Sequence, residues 1–238
     1  MGKFFVMENN ELTKWHRAYI QNAYHELEQG ITRKQLGTLN IKATDRKVLD
    51  VGCGPGNLLV ALSADNPQIV IGVDVDAIFL SIGYSKIKEL IDPSSKVPTL
   101  IRASLPTLPF ADETFDLVTC FLVMPHVPDD KVALTELARV LKPGGTLVIS
   151  GHGLGFPIRY LKHFRLKPLQ MYLASIIYRC TGKKWIRNTL QSEKQICNIL
   201  NDIGLIVDVR NYNKKVLGCV ATYWIRATKS ETSPNATQ

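Results

Sequence analysis

The sequence predicts an α/β chain: a mostly parallel sheet covered by helices on both faces. Two patterns predict it. Short apolar runs that read as buried strands alternate with longer segments of helical periodicity. A glycine-rich turn, "VLDVGCGPGNL" from Val48 to Leu58, follows the first of those strands. A third pattern closes the sheet. The last two apolar runs, 205–212 and 216–229, lie only a few residues apart, which suits an antiparallel hairpin rather than another crossover. No repeat of fixed period is present.

Residues 11–29 lack Gly and Pro, and Leu12, Trp15, Tyr19 and Ala23 recur at helical spacing, so this segment reads as an amphipathic helix. A short second helix follows over 32–39. "KVLDV" (47–51) reads as a buried strand, 57–65 as a helix and 69–75 as a second strand. Residues 78–91 read as helical despite Gly83, with strands at 98–104 and 114–123. Residues 130–141 carry a good apolar stripe and stop at "KPGG", ahead of a fifth strand at 146–151. The helix at 192–204 is expected to open on a capping box, Ser192 with Gln195, and to end at Gly204. The tail from Ser230 is polar and is expected to be disordered.

The 238 residues suit one domain, or one domain with an insert, and nearly half are apolar, which excludes a disordered chain. No apolar run approaches the ~18–20 residues a spanning helix needs. The first residues do not form a signal peptide, and Val6 stands where a myristoylation motif needs Ser or Thr. The cysteines at 53, 120, 180, 197 and 219 form no close pair, so neither a zinc knuckle nor a redox motif is expected, and no metal. A cytoplasmic location, free or peripheral at a membrane, is the expectation. The net charge of +8 is unevenly spread: from Gly151 to Leu190 there are eight Lys or Arg and no Asp or Glu, while basic and acidic residues balance elsewhere.

The glycines at 52, 54 and 56 run G-x-G-x-G behind Asp50, tighter than the usual dinucleotide spacing. They imply either a turn too sharp for side chains or a ligand laid against bare backbone. Asp74 ends the second strand 18 residues past Gly56, where an acid can accept both hydroxyls of a ribose. With "LPFADETFDLVTC" (108–120), "ELARVLKPGGTLVIS" (136–150) and the C-terminal hairpin, the chain resembles the class I S-adenosylmethionine-dependent methyltransferases. Within them it is most similar to the small-molecule, type 11-like family. The resemblance covers about Lys47 to Gly151. It implies a Rossmann-like, seven-stranded, mostly parallel sheet with an antiparallel C-terminal hairpin and a helical lid. It also implies S-adenosyl-L-methionine as cofactor. Asp50, Gly52, Cys53, Gly54 and Gly56 match the loop at its methionine part, Asp74 the ribose acid and Val75 the residue beside adenine. Ser104 stands where relatives keep an Asp for the adenine amino group, and a hydroxyl gives that bond without charge assistance. Leu105 can offer backbone and cover the ring. Cys120 and Phe121 match the end of strand four, beside the sulfonium.

Many relatives carry a Glu-His or His-His pair after strand four, whereas this chain has Pro125 then His126. His126 is the first candidate base and His152, at the end of strand five, the second; the plain alternatives are a loop-fixing histidine and rim polarity. Tyr19 and His16 lie on the N-terminal helix, which in relatives often folds over the cofactor, although an aromatic at helical spacing is commonly packing. Exocyclic base methylation and cytosine C5 chemistry lack their motifs.

The expected division is an N-terminal helical cap (1–43), a methyltransferase core (44–152 and 191–229), a basic lid insert (153–190) and a tail (230–238). For the insert three readings stand. It is a cap with an apolar underside and a solvated cationic face, a surface for anionic lipid, or a site for nucleic acid or another polyanion, the last lacking any recognised RNA-binding module. The expected activity is methyl transfer to an O, N or C atom of a small hydrophobic acceptor. The alternatives are a non-catalytic cofactor-binding regulator and a methyltransferase acting on membrane lipid or nucleic acid.

Overall fold

The computed structural model describes residues 12–153, 155–157, 167–182, 184, 189–212, 215–216 and 219–231. Most of the insert's cations, its aromatic residues Tyr160, Phe164 and Trp185, and the end of the tail lie outside them. Helices α1 (Lys14–Glu28) and α2 (Ile31–Thr38) precede the sheet. Strands β1 (Lys47–Val51), β2 (Ile69–Asp74), β3 (Thr99–Arg102), β4 (Phe115–Phe121) and β5 (Leu141–His152) then alternate with α3 (Asn57–Ser63), α4 (Ala77–Leu90) and α5 (Asp130–Val140). After α6 (Lys167–Thr181) and α7 (Glu193–Asp202) come β6 (Leu205–Tyr212), the two-residue strands β7 (Lys215–Val216) and β8 (Cys219–Val220), and β9 (Thr222–Lys229).

The main sheet has the order β3-β2-β1-β4-β5-β9-β6. β1 to β5 pair in parallel, and β9 runs antiparallel to both β5 and β6. The expected seven-stranded sheet and its hairpin are therefore both present. The single run expected at 216–229 is divided, because β7 and β8 form their own ribbon between β6 and β9.

Strand alternation splits the core into two layers. Leu49, Val118 and Ile149 face one side, where Leu134 and Leu137 of α5 and Ile196 and Leu200 of α7 cover them. Val48, Leu117 and Val148 face the other, against Leu58, Leu59 and Leu62 of α3. Each such fully buried side chain contributes about 1.5–3 kcal/mol. Gly83 keeps its place in α4 through close approach: a Cβ there would lie 2.9 Å from the carbonyl oxygen of Pro55.

Three local expectations change. β5 begins at Leu141, not 146, because Leu141 pairs with Phe115 across a bulge and is fully buried. The capping box at α7 does not form: Ser192 is the N-cap residue, but its side chain accepts no N–H. Gln195 meets Ser192 through the backbone instead, its N–H donating to Ser192 O at 3.0 Å. Of the stripe expected for the first helix, Ala23 is buried, but Leu12, ahead of α1, and Trp15 and Tyr19 on it are exposed, Trp15 at 54%, and the face turned inward carries His16, Ala23 and Tyr24.

The C-terminal ends of β1, β2, β4 and β5 form one rim. Chain order reverses between β1 and β4, so that rim contains the switch point at which open α/β sheets bind ligands.

Candidate active site

The glycine loop leaves β1 at the switch point. Gly52, Gly54 and Gly56 have φ of 74°, 53° and 86°, so the turn alone selects glycine at all three. Two of them also lack room: a Cβ would meet Val123 Cγ2 at 2.0 Å from Gly52 and Ile87 Cδ1 at 2.7 Å from Gly56. At Gly54 it would only touch the Tyr19 ring, at 3.5 Å. The glycine pattern is thus explained by the turn and its protein neighbours, and the sign of a ligand must come from elsewhere.

It comes from two carboxylates. Asp50 lies on β1 in register with Thr119 of β4, and the Thr119 hydroxyl donates to it at 2.7 Å. Burial pushes the Asp50 pKa up to about 7, with Asp74 adding to the rise. Asp74, at the end of β2, accepts the backbone N–H of Gly54 at 2.8 Å on one oxygen and that of Asp76 at 2.9 Å on the other. It therefore fastens the glycine loop to β2. Each oxygen keeps a further lone pair. Burial raises its pKa too, against the pull of the backbone N–H groups of Asp76, Gly54 and Val75. Among the described residues, the charges that act most strongly on the two groups are other carboxylates, Asp74 on Asp50 and Asp76 on Asp74. Two buried carboxylates without a cation make a site that favours a positively charged ligand.

Helix α1 closes over this spot. His16, buried, bonds Thr13 through Nδ1 at 2.9 Å and Asp76 through Nε2 at 3.0 Å, joining the start of α1 to the start of α4. The Tyr24 hydroxyl donates to Pro55 O in the glycine loop at 2.5 Å. Between these ties Tyr19 packs on Phe79, ring centroids 5.1 Å apart, with Trp15 beside both. Crowding first, then the negative Asp74 and Asp50, pushes the Tyr19 phenol up to about 12. The exposed aromatic edge of α1 is one wall of the site.

Of the remaining sequence-derived residues, some face this region and some do not. Val75 is exposed directly after Asp74. Ser104 is half-buried, its carbonyl accepting Thr107 N–H at 3.1 Å. The Leu105 side chain is 3% exposed and sits in the core, so it does not cover a ring; only its backbone is available for that role. Cys53 and Cys120 are likewise core residues whose side chains pack in the interior, and burial pushes both thiols up. Phe121 is half-buried at the end of β4.

Beyond Phe121 the chain turns through Leu122, whose φ of 59° is uncommon for a leucine, and then a 3-10 turn, Met124–His126. His126 is exposed on that turn. His152 ends β5, half-buried and stacked on Phe156 with centroids 3.6 Å apart. Gln191 links the two histidine-bearing segments: its N–H donates to His152 O at 3.3 Å and its Nε2 to Met124 O at 3.0 Å.

Sequence reading did not find the cluster next to this turn. Asp130, at the start of α5, is 1% exposed and accepts from Lys184 Nζ at 2.5 Å, from Gln191 Nε2 at 2.6 Å and from the Tyr178 hydroxyl. Lys184 Nζ also donates to Met124 O at 2.7 Å. Burial lowers the Lys184 pKa while Asp130 opposes the drop. The cluster ties α6 and the end of the insert to the His126 turn. Its sequence trace is the Asp129-Asp130 pair that opens an amphipathic helix.

A profile for a methyltransferase domain matches residues 49–149. A demethylmenaquinone methyltransferase of Bacillus cereus is 31% identical over 169 residues, covering 67% of this chain and 69% of that protein. The chain belongs to the class I S-adenosylmethionine-dependent methyltransferases. A demethylmenaquinone methyltransferase of Lactiplantibacillus plantarum is 40% identical over 118 residues, 49% of each chain, so the match spans about half of that relative's length. Magnesium protoporphyrin IX methyltransferase from Synechocystis, crystallised with S-adenosylhomocysteine, shares the fold at a TM-score of 0.61 and 17% identity, covering 93% of this methyltransferase and 90% of that chain.

The residues present fit the cofactor. S-adenosylmethionine bears an ammonium and a sulfonium, and at the switch point the methyltransferase holds two buried carboxylates that no cation among the described residues pairs with. Asp74 keeps acceptor capacity for ribose hydroxyls beyond its two backbone bonds.

Proposed function

We propose that this methyltransferase acts on a small hydrophobic ring acceptor of the quinone type, at carbon. The observation that carries the proposal is the similarity to demethylmenaquinone methyltransferases, which extends over two thirds of the chain and beyond the generic domain. The aromatic wall supports it. Trp15 and Tyr19 present exposed rings above the loop, as an apolar acceptor requires.

When bound, S-adenosylmethionine supplies an electrophilic methyl on a cationic sulfur. The chain's task is to place the acceptor in line and exclude water, and positioning of this kind accounts for about 7–11 kcal/mol of a barrier. Asp50 and Asp74 hold the cofactor end by charge and hydrogen bonding. Tyr19 and Trp15 cover it from α1. His126, exposed on the turn after β4, takes the proton the acceptor must lose as the methyl arrives, becoming an imidazolium. Phe121 and His152 line the same rim.

The test is incubation of the full chain with methyl-labelled S-adenosylmethionine and a short-tailed demethylated naphthoquinol, with an amine and a phenol lacking the quinol ring as comparators. A labelled naphthoquinol with the methyl on ring carbon supports the proposal. Labelling only of a comparator, or of none, overturns it. The rival reading as a regulator predicts cofactor binding with no transfer to any acceptor; the Bacillus cereus and Lactiplantibacillus plantarum relatives, both named as methyltransferases, favour the enzyme.

A further inference from the structure

One reading of the insert gives it a solvated cationic outer face; among the described side chains of α6, the outward stripe is aliphatic. In α6, Ala174, Ser175 and Tyr178 are buried, and the opposite face carries Leu169, Leu173 and Ile176 at 58%, 52% and 57% exposure. Their spacing, with Cys180 one further turn on, puts all four on one stripe. Pro168 stands in the first turn of this helix rather than breaking it. Fifteen apolar-rich residues exposing aliphatic side chains outward are not the pattern of a helix that faces water. Isolated exposed leucines need no explanation, but an aligned stripe on one helix calls for a partner.

The charge of the surrounding chain decides which partner. The segment from Gly151 to Leu190, which contains α6, has eight cations and no anion. Lys184 is taken by Asp130, and Arg179 is exposed on α6 itself. A second copy docking here would bring two strongly cationic segments together. A nucleic acid would reward the cations but leave the aliphatic stripe unused. A surface of anionic lipid satisfies both, since headgroup charge attracts the basic residues and the stripe enters the acyl boundary. No described helix is long and apolar enough to cross a membrane, so α6 would lie in the interface.

We propose that the outward face of α6 docks the methyltransferase on an anionic lipid surface through Leu169, Leu173 and Ile176. The proposal is independent of the acceptor's identity, because it concerns a face of α6 turned away from the core and needs no turnover to be measured.

The test is co-sedimentation of the full chain with vesicles of phosphatidylcholine alone or with phosphatidylglycerol added, at low and high salt. Binding is expected on the anionic vesicles only, weakening as salt rises. Leu173→Glu with Ile176→Glu should reduce it by about tenfold or more. Ile206→Glu, at an equally exposed position on β6 (62%), should leave it unchanged. Calorimetry with S-adenosylhomocysteine keeps the α6 variant interpretable, since a folded variant retains cofactor affinity. Three results overturn the proposal: no binding to anionic vesicles, equal loss in both variants, or light scattering showing a dimer that the α6 substitutions dissolve while vesicle binding is absent.

Discussion

Replacing Asp50 by Asn tests the central electrostatic argument. The carboxyl titrates at about 7 in the fold against an ordinary 3.8. Below the ordinary value both folded and unfolded chains hold the proton, and the residue costs no stability. As pH rises the unfolded chain ionises first, and the folded chain loses stability until pH passes the folded value, to a total of roughly 4 kcal/mol at about 1.4 kcal/mol per unit. Asn keeps an oxygen for the Thr119 hydroxyl but cannot ionise. Its new amide group costs about 1–3 kcal/mol if unpaired, at every pH. The decisive quantity is therefore the change in the variant's stability relative to the parent between two pH values. Urea denaturation without cofactor, near pH 5 and near pH 8, should show that difference moving in the variant's favour by about 2.5 kcal/mol. At the higher pH the same substitution should weaken S-adenosylmethionine about tenfold or more, as the loss of a charged partner does. A stability difference that is the same at both pH values refutes the reasoning, because Asp50 would then not carry a raised pKa.

Gly52→Ala and Gly56→Ala should each destabilise by about 1–3 kcal/mol, and Gly54→Ala by only about 1 kcal/mol, since the first two meet Val123 and Ile87 while the third only touches Tyr19; thermal melting ranks them. Lys184→Met should cost about 3–5 kcal/mol by stranding Asp130, and adding Asp130→Asn should restore most of it, measured by urea denaturation of both variants. Tyr24→Phe removes the bond to Pro55 O and should lose about 1 kcal/mol, with hydrogen exchange quickening in α1. His126→Gln should lower kcat by about 10²–10⁴ with cofactor affinity unchanged; an unaltered kcat assigns the base elsewhere on the rim.

Strand and helix order was legible because each element between Lys47 and His152 announces itself locally, by an apolar run or a helical stripe closed at a glycine turn. β5 escaped at its start since "KPGG" reads as a turn, while pairing of Leu141 with Phe115 across a bulge is a contact between residues far apart in sequence. Trp15 and Tyr19 had the right period for a buried stripe yet stand exposed, because α1 is held at its buried His16 and Tyr24 and only overhangs the glycine loop. Cys120 and Leu105 fell beside the expected site in sequence, but strand alternation and the neighbouring turn send their side chains into the core.

The sequence by itself determined the sheet, its C-terminal hairpin and the place of the glycine loop, since these follow from backbone demands at single positions: glycine where φ is positive, an acid at the end of β2, apolar residues at fixed periods. Only the tertiary structure decided that Asp50 is a buried carboxylate poised near neutrality, that Asp130 and Lys184 fasten the insert to the His126 turn, and that α6 turns leucines outward. Each of these depends on which distant side chains surround a residue and how much water they exclude. That environment sets the cost of a charge or an exposed methyl, and no local pattern encodes it.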